Sequence, residues 1–119
     1  MAESRIQDIY LHLKNQGFET YFPAQKVGEC LSPYVVVKDA TTSKYMEYSS
    51  TITYYDILCY IPKDHFSELE PYVELVKEAM RGLFPMITPT YSQTQSFYDD
   101  SVKAHMISVQ YKNYRKIII

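Results

Sequence analysis

The segment from Thr51 to Pro62, TITYYDILCYIP, is the strongest strand pattern in the chain and constrains the fold most. It is rich in β-branched and aromatic residues, which favour strands. Alternate positions, from Tyr55 to Ile61, are apolar and form one face, while the other positions form a mixed face that includes Tyr54, Asp56 and Tyr60. The pattern therefore predicts a strand covered on both faces, by helices on one side and by another element or partner on the other.

Two segments with helical periodicity flank this strand. Apolar residues between Ile6 and Leu13 fall on one helical face, with Ser4 as a candidate cap and Gly17 as a stop. The second helix begins near Ser67, after a possible tighter turn. Asp64 or Ser67 is its candidate cap, and Ser67 forms a capping-box spacing with Glu70. Its apolar stripe runs along residues 69–83. Both helices are predicted to be amphipathic and to pack on the sheet.

Four further segments predict strands, at residues 18–25, 33–40, 86–91 and 102–114. Residues 39–50 are polar and fit either a mobile loop or the far arm of a long hairpin, and residues 91–101 are predicted to be a polar loop. The chain contains no internal repeat and no linker. The prediction is a single α+β domain over residues 1–119, with a mostly antiparallel sheet of four to five strands and two amphipathic helices on one face.

The composition argues against some classes of partner but does not identify one. The chain has 119 residues and a net charge of −2, which gives no reason to expect sequence-specific nucleic-acid binding. No apolar run has membrane-spanning length, and the N-terminus has no apolar signal segment, so a soluble protein that is not secreted is expected. The 13 tyrosines are compatible with sheet-flanking positions and with surfaces buried on association.

The reactive residue types do not form a recognisable catalytic or metal-binding motif. His12, His65 and His105 lie in three different predicted elements, and Cys30 and Cys59 have no CxxC spacing, so no metal and no cofactor are expected. A triad of Cys59, His105 and Asp56 is disfavoured, because residues three apart in a strand face opposite sides. No catalytic residue is predicted, and the two cysteines are expected to be reduced.

Charge is distributed unevenly along the chain. The second helix is acidic and includes Glu70 and Glu74, whereas the stretch after Ser101 has four basic residues and no acidic one. The basic and apolar arm, residues 112–119, ends in three isoleucines. These charges fit solvated surfaces, or they meet across a head-to-tail contact between copies. The isoleucines are expected to extend the last strand or to dock on a neighbour.

The order of these elements resembles a known family. An N-terminal helix precedes PYVVV and YYDILCYIP strands, then come ELEPYVELVKEAM with GLFP, an Asp99-Asp100 loop, and a last strand ending in basic residues. The whole is similar to the small tail-terminator, or tail-completion, proteins of long-tailed bacteriophages and phage-derived tail particles. The resemblance implies a structural virion protein, not an enzyme, that forms a hexameric ring on the head-proximal end of the tail tube, ends tube polymerisation and joins the head.

That resemblance also implies where the protein acts and what it contacts. Its partners would be other copies of itself, the tail tube protein, and possible sheath or head-completion proteins, in a virion assembled in the bacterial cytoplasm. The residues expected at oligomer or tube contacts are Tyr45, Tyr54, Asp56, Tyr60, Glu70, Glu74, Asp99, Asp100, Lys112, Arg115, Lys116, Ile117, Ile118 and Ile119. Two alternatives remain open: a head-completion or connector protein, and a small-ligand-binding or hydrolytic domain using Asp56 and His105.

Overall fold

The computed structural model describes residues 6–45 and 50–116, which form two helices and six strands. In chain order they are α1 (Ile6–Asn15), β1 (Thr20–Tyr21), β2 (Tyr34–Tyr45), β3 (Ser50–Pro62), α2 (Leu69–Met80), β4 (Thr88–Gln93), β5 (Phe97–Asp99) and β6 (Ala104–Lys116). Short 3-10 segments, Lys63–Glu68 and Arg81–Leu83, flank α2. Neither described helix is long and apolar enough to cross a membrane.

The strands form one sheet in the order β1-β2-β3-β6-β4, with β5 paired to the other end of β6. Only the β1–β2 pair is parallel, and all the others are antiparallel. The predicted α+β class and the mostly antiparallel sheet are confirmed. The sheet has one strand more than the upper predicted number, because β5 lies inside the segment predicted as a polar loop.

The core lies between the helices and one face of the sheet. The apolar positions of β3 from Tyr55 to Ile61 are all buried, as the alternation predicted. Both helices direct buried residues at this face, namely Ile9, Leu13, Leu69, Val73, Val76 and Met80. Gly17, with a φ of +95°, ends α1 at the predicted stop, since glycine adopts a positive φ without a steric cost.

The second helix begins two residues after the predicted start near Ser67, and the predicted tighter turn precedes it. The chain first forms the 3-10 segment Lys63–Glu68, and the regular helix begins at Leu69. Glu68 is the N-cap and makes no side-chain capping bond. The predicted caps, Asp64 or Ser67 with its capping box to Glu70, are therefore wrong. Pro71 still lies in the first turn, where its missing N–H costs nothing. Ser4, the candidate cap of α1, lies outside the described residues.

The three central strands extend well past the helices. Strands β2, β3 and β6 have 12, 13 and 13 residues, or about 40 Å each, whereas the helices are only about 15–18 Å long. The molecule is accordingly elongated, at 51 × 25 × 24 Å. The polar segment at residues 39–50 is therefore the far arm of a hairpin, paired as far as Tyr45 and Ser50. Its tip, residues 46–49, lies outside the described residues.

The contact between His12 and the end of α2 gives a stability prediction. The His12 Nε2 donates to the Ala79 carbonyl at 2.6 Å, and a Cβ at Gly82 would lie 2.7 Å from the imidazole Cε1. Gly82→Ala must displace the ring and weaken this bond, so we expect a loss of about 1–3 kcal/mol in the free energy of unfolding. Urea denaturation measures this loss.

A double-mutant cycle supplies the control for this prediction. With His12→Ala in place the obstacle is gone, and Gly82→Ala should then be neutral or stabilising by up to about 1 kcal/mol. An equal cost of Gly82→Ala in both backgrounds would contradict the assigned contact.

Candidate functional site

The sheet face away from the helices carries the mixed positions of β3. Cross-strand pairing arranges the side chains of this face in rows across β2, β3 and β6. Apart from the end near Tyr34 and Tyr60, which the chain itself covers, these residues are Val36, Lys38, Tyr54, Asp56, Leu58, Ser108, Gln110 and Lys112. We call these residues the open face. Lys38 is exposed and the others are half-buried. Both helices pack on the opposite face, so this surface combines apolar, aromatic and charged groups without a helical cover.

Asp56 lies at the centre of a polar row. It pairs with Lys38 of β2 on one side and with Gln110 of β6 on the other. Within one copy, Lys38 is therefore the basic residue opposite Asp56, because Lys103 precedes β6 and Arg115 pairs with Thr51 farther along the strand. A contact of Asp56 with Lys103 or Arg115 of a neighbouring copy stays a prediction.

One end of this sheet face is already covered by the chain itself. Tyr34 and Tyr60 stack there with ring centroids 4.8 Å apart. Cys30 and Ala104 complete a small buried cluster with Tyr34, and the Cys30 backbone N–H donates to the Val102 carbonyl at 2.7 Å. Burial raises the pKa of Tyr60 above its ordinary value. Tyr60 therefore lies at the rim of the surface, and the accessible part is centred on Leu58 and Asp56.

Only some of the predicted contact residues come together. Tyr54, Asp56 and Lys112 share the open face, and Lys112 is the cross-strand partner of Tyr54. Glu70 and Glu74 lie on exposed positions of α2, in the other layer of the molecule. Glu74 accepts a 3.3 Å contact from Lys77 on the same helix, so its charge is partly matched locally.

The acidic step at Asp99-Asp100 shapes a turn. The Asp99 Oδ1 accepts from the Ser101 backbone N–H at 3.0 Å and from its hydroxyl at 2.6 Å, the pattern of an Asx-turn. Asp99 therefore has a local role in stabilising this turn.

Three further predicted contacts lie at the far ends of the central strands. Tyr45 ends β2, and Arg115 and Lys116 end β6. Ile117, Ile118 and Ile119 lie outside the described residues.

The residues considered for hydrolysis do not converge. Asp56 lies on the open face, whereas His105 pairs with Ile61, a residue of the helix-covered face. The His105 ring instead contacts Phe66 and Tyr98 edge-on. Cys59 is fully buried, and burial raises its pKa to about 12, so it is held as a neutral thiol. These side chains belong to separate environments.

The histidines and cysteines also bear on metal binding and disulfide formation. Among residues 6–45 and 50–116, no group of three or more His, Cys, Asp or Glu side chains could hold a metal ion. His12 is bonded to the Ala79 carbonyl, and His65 Nδ1 lies 2.9 Å from Glu68. Both cysteines are free and buried.

A cleft of about 620 Å³ lies between the end of α2 and β4. Its lining includes Met80, Phe84, Ile87 and Tyr111, with Lys77 and Arg81 at its polar side. Both basic residues contact glutamates of the same helix, at 3.3 and 3.2 Å. The cleft contains neither Asp56 nor His105, so it does not support the ligand-binding alternative in the form that the sequence suggested.

Sequence reasoning missed the central position of Lys38 and Gln110. Strand alternation puts Tyr34, Val36 and Lys38 on one face of the predicted strand at residues 33–40. The pairing of Lys38 with Asp56 required the register between β2 and β3, which depends on contacts between distant parts of the chain.

No protein-family model matches the chain, and no curated protein matches it. A function for the chain therefore depends on its geometry and on the resemblance in element order. Within that geometry, the open face brings together the predicted contact residues Tyr54, Asp56 and Lys112.

The buried tyrosines and cysteines predict a loss of stability in alkali. Burial raises the pKa of Tyr34, Tyr72 and Tyr111, and it raises that of Cys59 to about 12. Above about pH 9 the unfolded chain releases these protons while the folded chain retains them. The free energy of unfolding should therefore fall as pH rises from about 9 to 12, by up to about 1.4 kcal/mol per pH unit for each group.

Urea unfolding at a series of pH values measures this slope. Tyr111→Phe should make it shallower, because one buried phenol is removed, whereas Tyr91→Phe at a position that is 92% exposed should not. Stability that stays constant between pH 9 and 11 would contradict the prediction.

Proposed function

We propose that this chain is a structural subunit of a phage tail or phage-derived tail particle. Several copies form a ring on the head-proximal end of the tail tube, end its polymerisation and provide the surface that joins the head. The observation that carries the proposal is the long ribbon of β2, β3 and β6, which projects past the helices and bears a face that neither described helix covers. A subunit that must contact copies and a tube needs such a surface.

The chemistry of the open face fits a protein partner. Tyr54, Leu58 and Val36 supply apolar area, while Lys38 and Asp56 supply charges that fix orientation. Tyrosine is suited to surfaces that are wet when free and dry when bound. A ring would shield this face between neighbouring copies or against the tube, and a hexamer is the number that the family resemblance implies.

A head-completion or connector protein of the same virion is the nearest alternative. It would use the same kind of surface but would stay at the head after tails are detached. Electron microscopy of particles, with this chain located by a fused label, separates the two. A label on the tail end supports the terminator, and a label on the head portal supports the connector. Absence of the label from particles would overturn both.

Substitution on the open face provides a direct test. Leu58→Lys adds a charge beside the Lys38–Asp56 row and should exclude the chain from particles, because the face would be buried with an unmatched charge. We expect at least a tenfold loss of incorporation and tails of uncontrolled length. Quantitative blotting of purified particles and tail-length measurement provide the readouts.

Leu75→Lys is the matched control. Leu75 is 61% exposed on α2, in the other layer, and its substitution should leave incorporation unchanged. Circular dichroism of both variants establishes that they fold. Normal incorporation of Leu58→Lys would remove the open face from the proposal.

The C-terminal arm is tested by deletion of residues 115–119. The deleted stretch contains two basic and three apolar residues, which we expect to contact a neighbouring copy or the next ring. The truncated chain should fold, because the core ends at residues such as Tyr111, but it should fail to limit tail length. Unchanged assembly and unchanged tail length would refute this role of the arm.

A further inference from the structure

The ribbon of β2, β3 and β6 has a long uncovered edge along β2. Strand β1 pairs only with Val35 and Val36, so within the described ranges the outer edge of β2 has no strand partner from Val37 to Tyr45. A register shift between Asp39 and Thr41 interrupts this edge. Beyond it, Thr41 to Tyr45 form a regular stretch without proline or glycine.

The opposite edge of the ribbon is also uncovered at its end. The pairing of β4 with β6 reaches only Lys112. Next to it, the Asn113 side-chain amide donates to the Met86 carbonyl at 2.7 Å, so the chain still approaches β6 there. From Tyr114 to Lys116, no strand in the described part of the chain pairs with the outer side of β6.

These two uncovered edges lie at the same level along the ribbon. Three residues at the end of β2 and three at the end of β6 pair with the same three residues of β3, so they form continuous cross-strand rows. The rows are Ser43–Ile52–Tyr114, Lys44–Thr51–Arg115 and Tyr45–Ser50–Lys116. Because β2 and β6 both run antiparallel to β3, they run parallel to each other.

We propose that the end of β6 in one copy pairs, as a parallel strand, with the end of β2 in the next copy. In a ring whose axis is parallel to the strands, rotation from one copy to the next leaves the strand direction unchanged. It also leaves the position of every residue along the axis, its level, unchanged. Edges at one level can therefore meet without an axial step, and a head-to-tail contact without such a step closes into a ring rather than a helix. The inference rests on the ring of the proposed function and names its interface.

Protection of the other edges supports this assignment. Strand β4 contains Pro89 and has an irregular register before Gln93. Strand β1 has only two residues. Proline, irregular register and short length all hinder the addition of another strand at an edge. A two-fold contact of β2 with β2 would leave the β6 edge uncovered in both copies. The head-to-tail contact covers both edges with one interface.

Disulfide trapping tests the pairing with the full chain. In the variant Lys44→Cys/Arg115→Cys, the two new cysteines lie two strands apart within one copy, about 10 Å, which exceeds the reach of a disulfide. Across the proposed contact they lie on adjacent strands, about 4.8 Å apart. Oxidation of the concentrated chain, or of particles in which copies are gathered, should therefore give a ladder of covalent dimers, trimers and larger species that a reductant removes. The native Cys30 and Cys59 are buried and should not contribute.

Three controls define the geometry. Each single variant should stay monomeric under denaturing electrophoresis, and an equal mixture of the two should stop at dimers. The variant Lys38→Cys/Arg115→Cys displaces one cysteine by six residues along β2, about 20 Å, and should give no ladder. Disulfide dimers of Lys44→Cys alone would instead indicate the two-fold contact of β2 with β2 and overturn the proposal.

The outcomes separate this interface from the proposed function. A ring seen on particles together with no ladder from Lys44→Cys/Arg115→Cys would leave the tail role intact and refute the strand pairing. A ladder from a chain that is absent from particles would support the pairing and refute the tail role. Absence of both refutes both.

Discussion

Strand β3 is the constraint on which the rest of the structure depends. It pairs with β6 along its whole length and with β2 along nearly all of it, so its register orders the ribbon. Because side chains alternate, this double pairing sends Tyr55 to Ile61 to the helices and Asp56 with its neighbours to the other face. The helices have only enough length for part of one face. The uncovered surface is therefore a consequence of strand length as much as of side-chain chemistry.

The fold could be predicted where the signal was local. The alternation in β3, the stripes of both helices and the stop at Gly17 all depend on residues close in sequence. The cap of α2 was wrong, because the chain forms a 3-10 segment where Ser67 offered a capping box. Strand β5 was missed, because three residues in a polar segment become a strand only through pairing with residues 104–106 of β6. Such pairing is a tertiary property that composition does not encode.

The candidate surface was predicted only where the signal was local in sequence. Parity within β3 grouped Tyr54 with Asp56 before any register was known. The addition of Lys112, and of Lys38 as the residue opposite Asp56, required the order of strands in the sheet. Glu70 and Glu74 were grouped with them by charge alone, although α2 packs on the other face. Charge patterns show which surfaces are polar, but the layer that carries them is decided by packing.

The proposed strand contact has a consequence for how a ring would form. Three rows supply only a few backbone hydrogen bonds, each worth about 0.5–1.5 kcal/mol net. Bringing two free molecules together costs an estimated 4–15 kcal/mol, so the edge alone does not hold two copies in dilute solution. Contacts of the open face, or a tube end that already gathers the copies, must supply the remainder. Assembly that depends on a tube would keep the ring from forming before there is a tail to terminate.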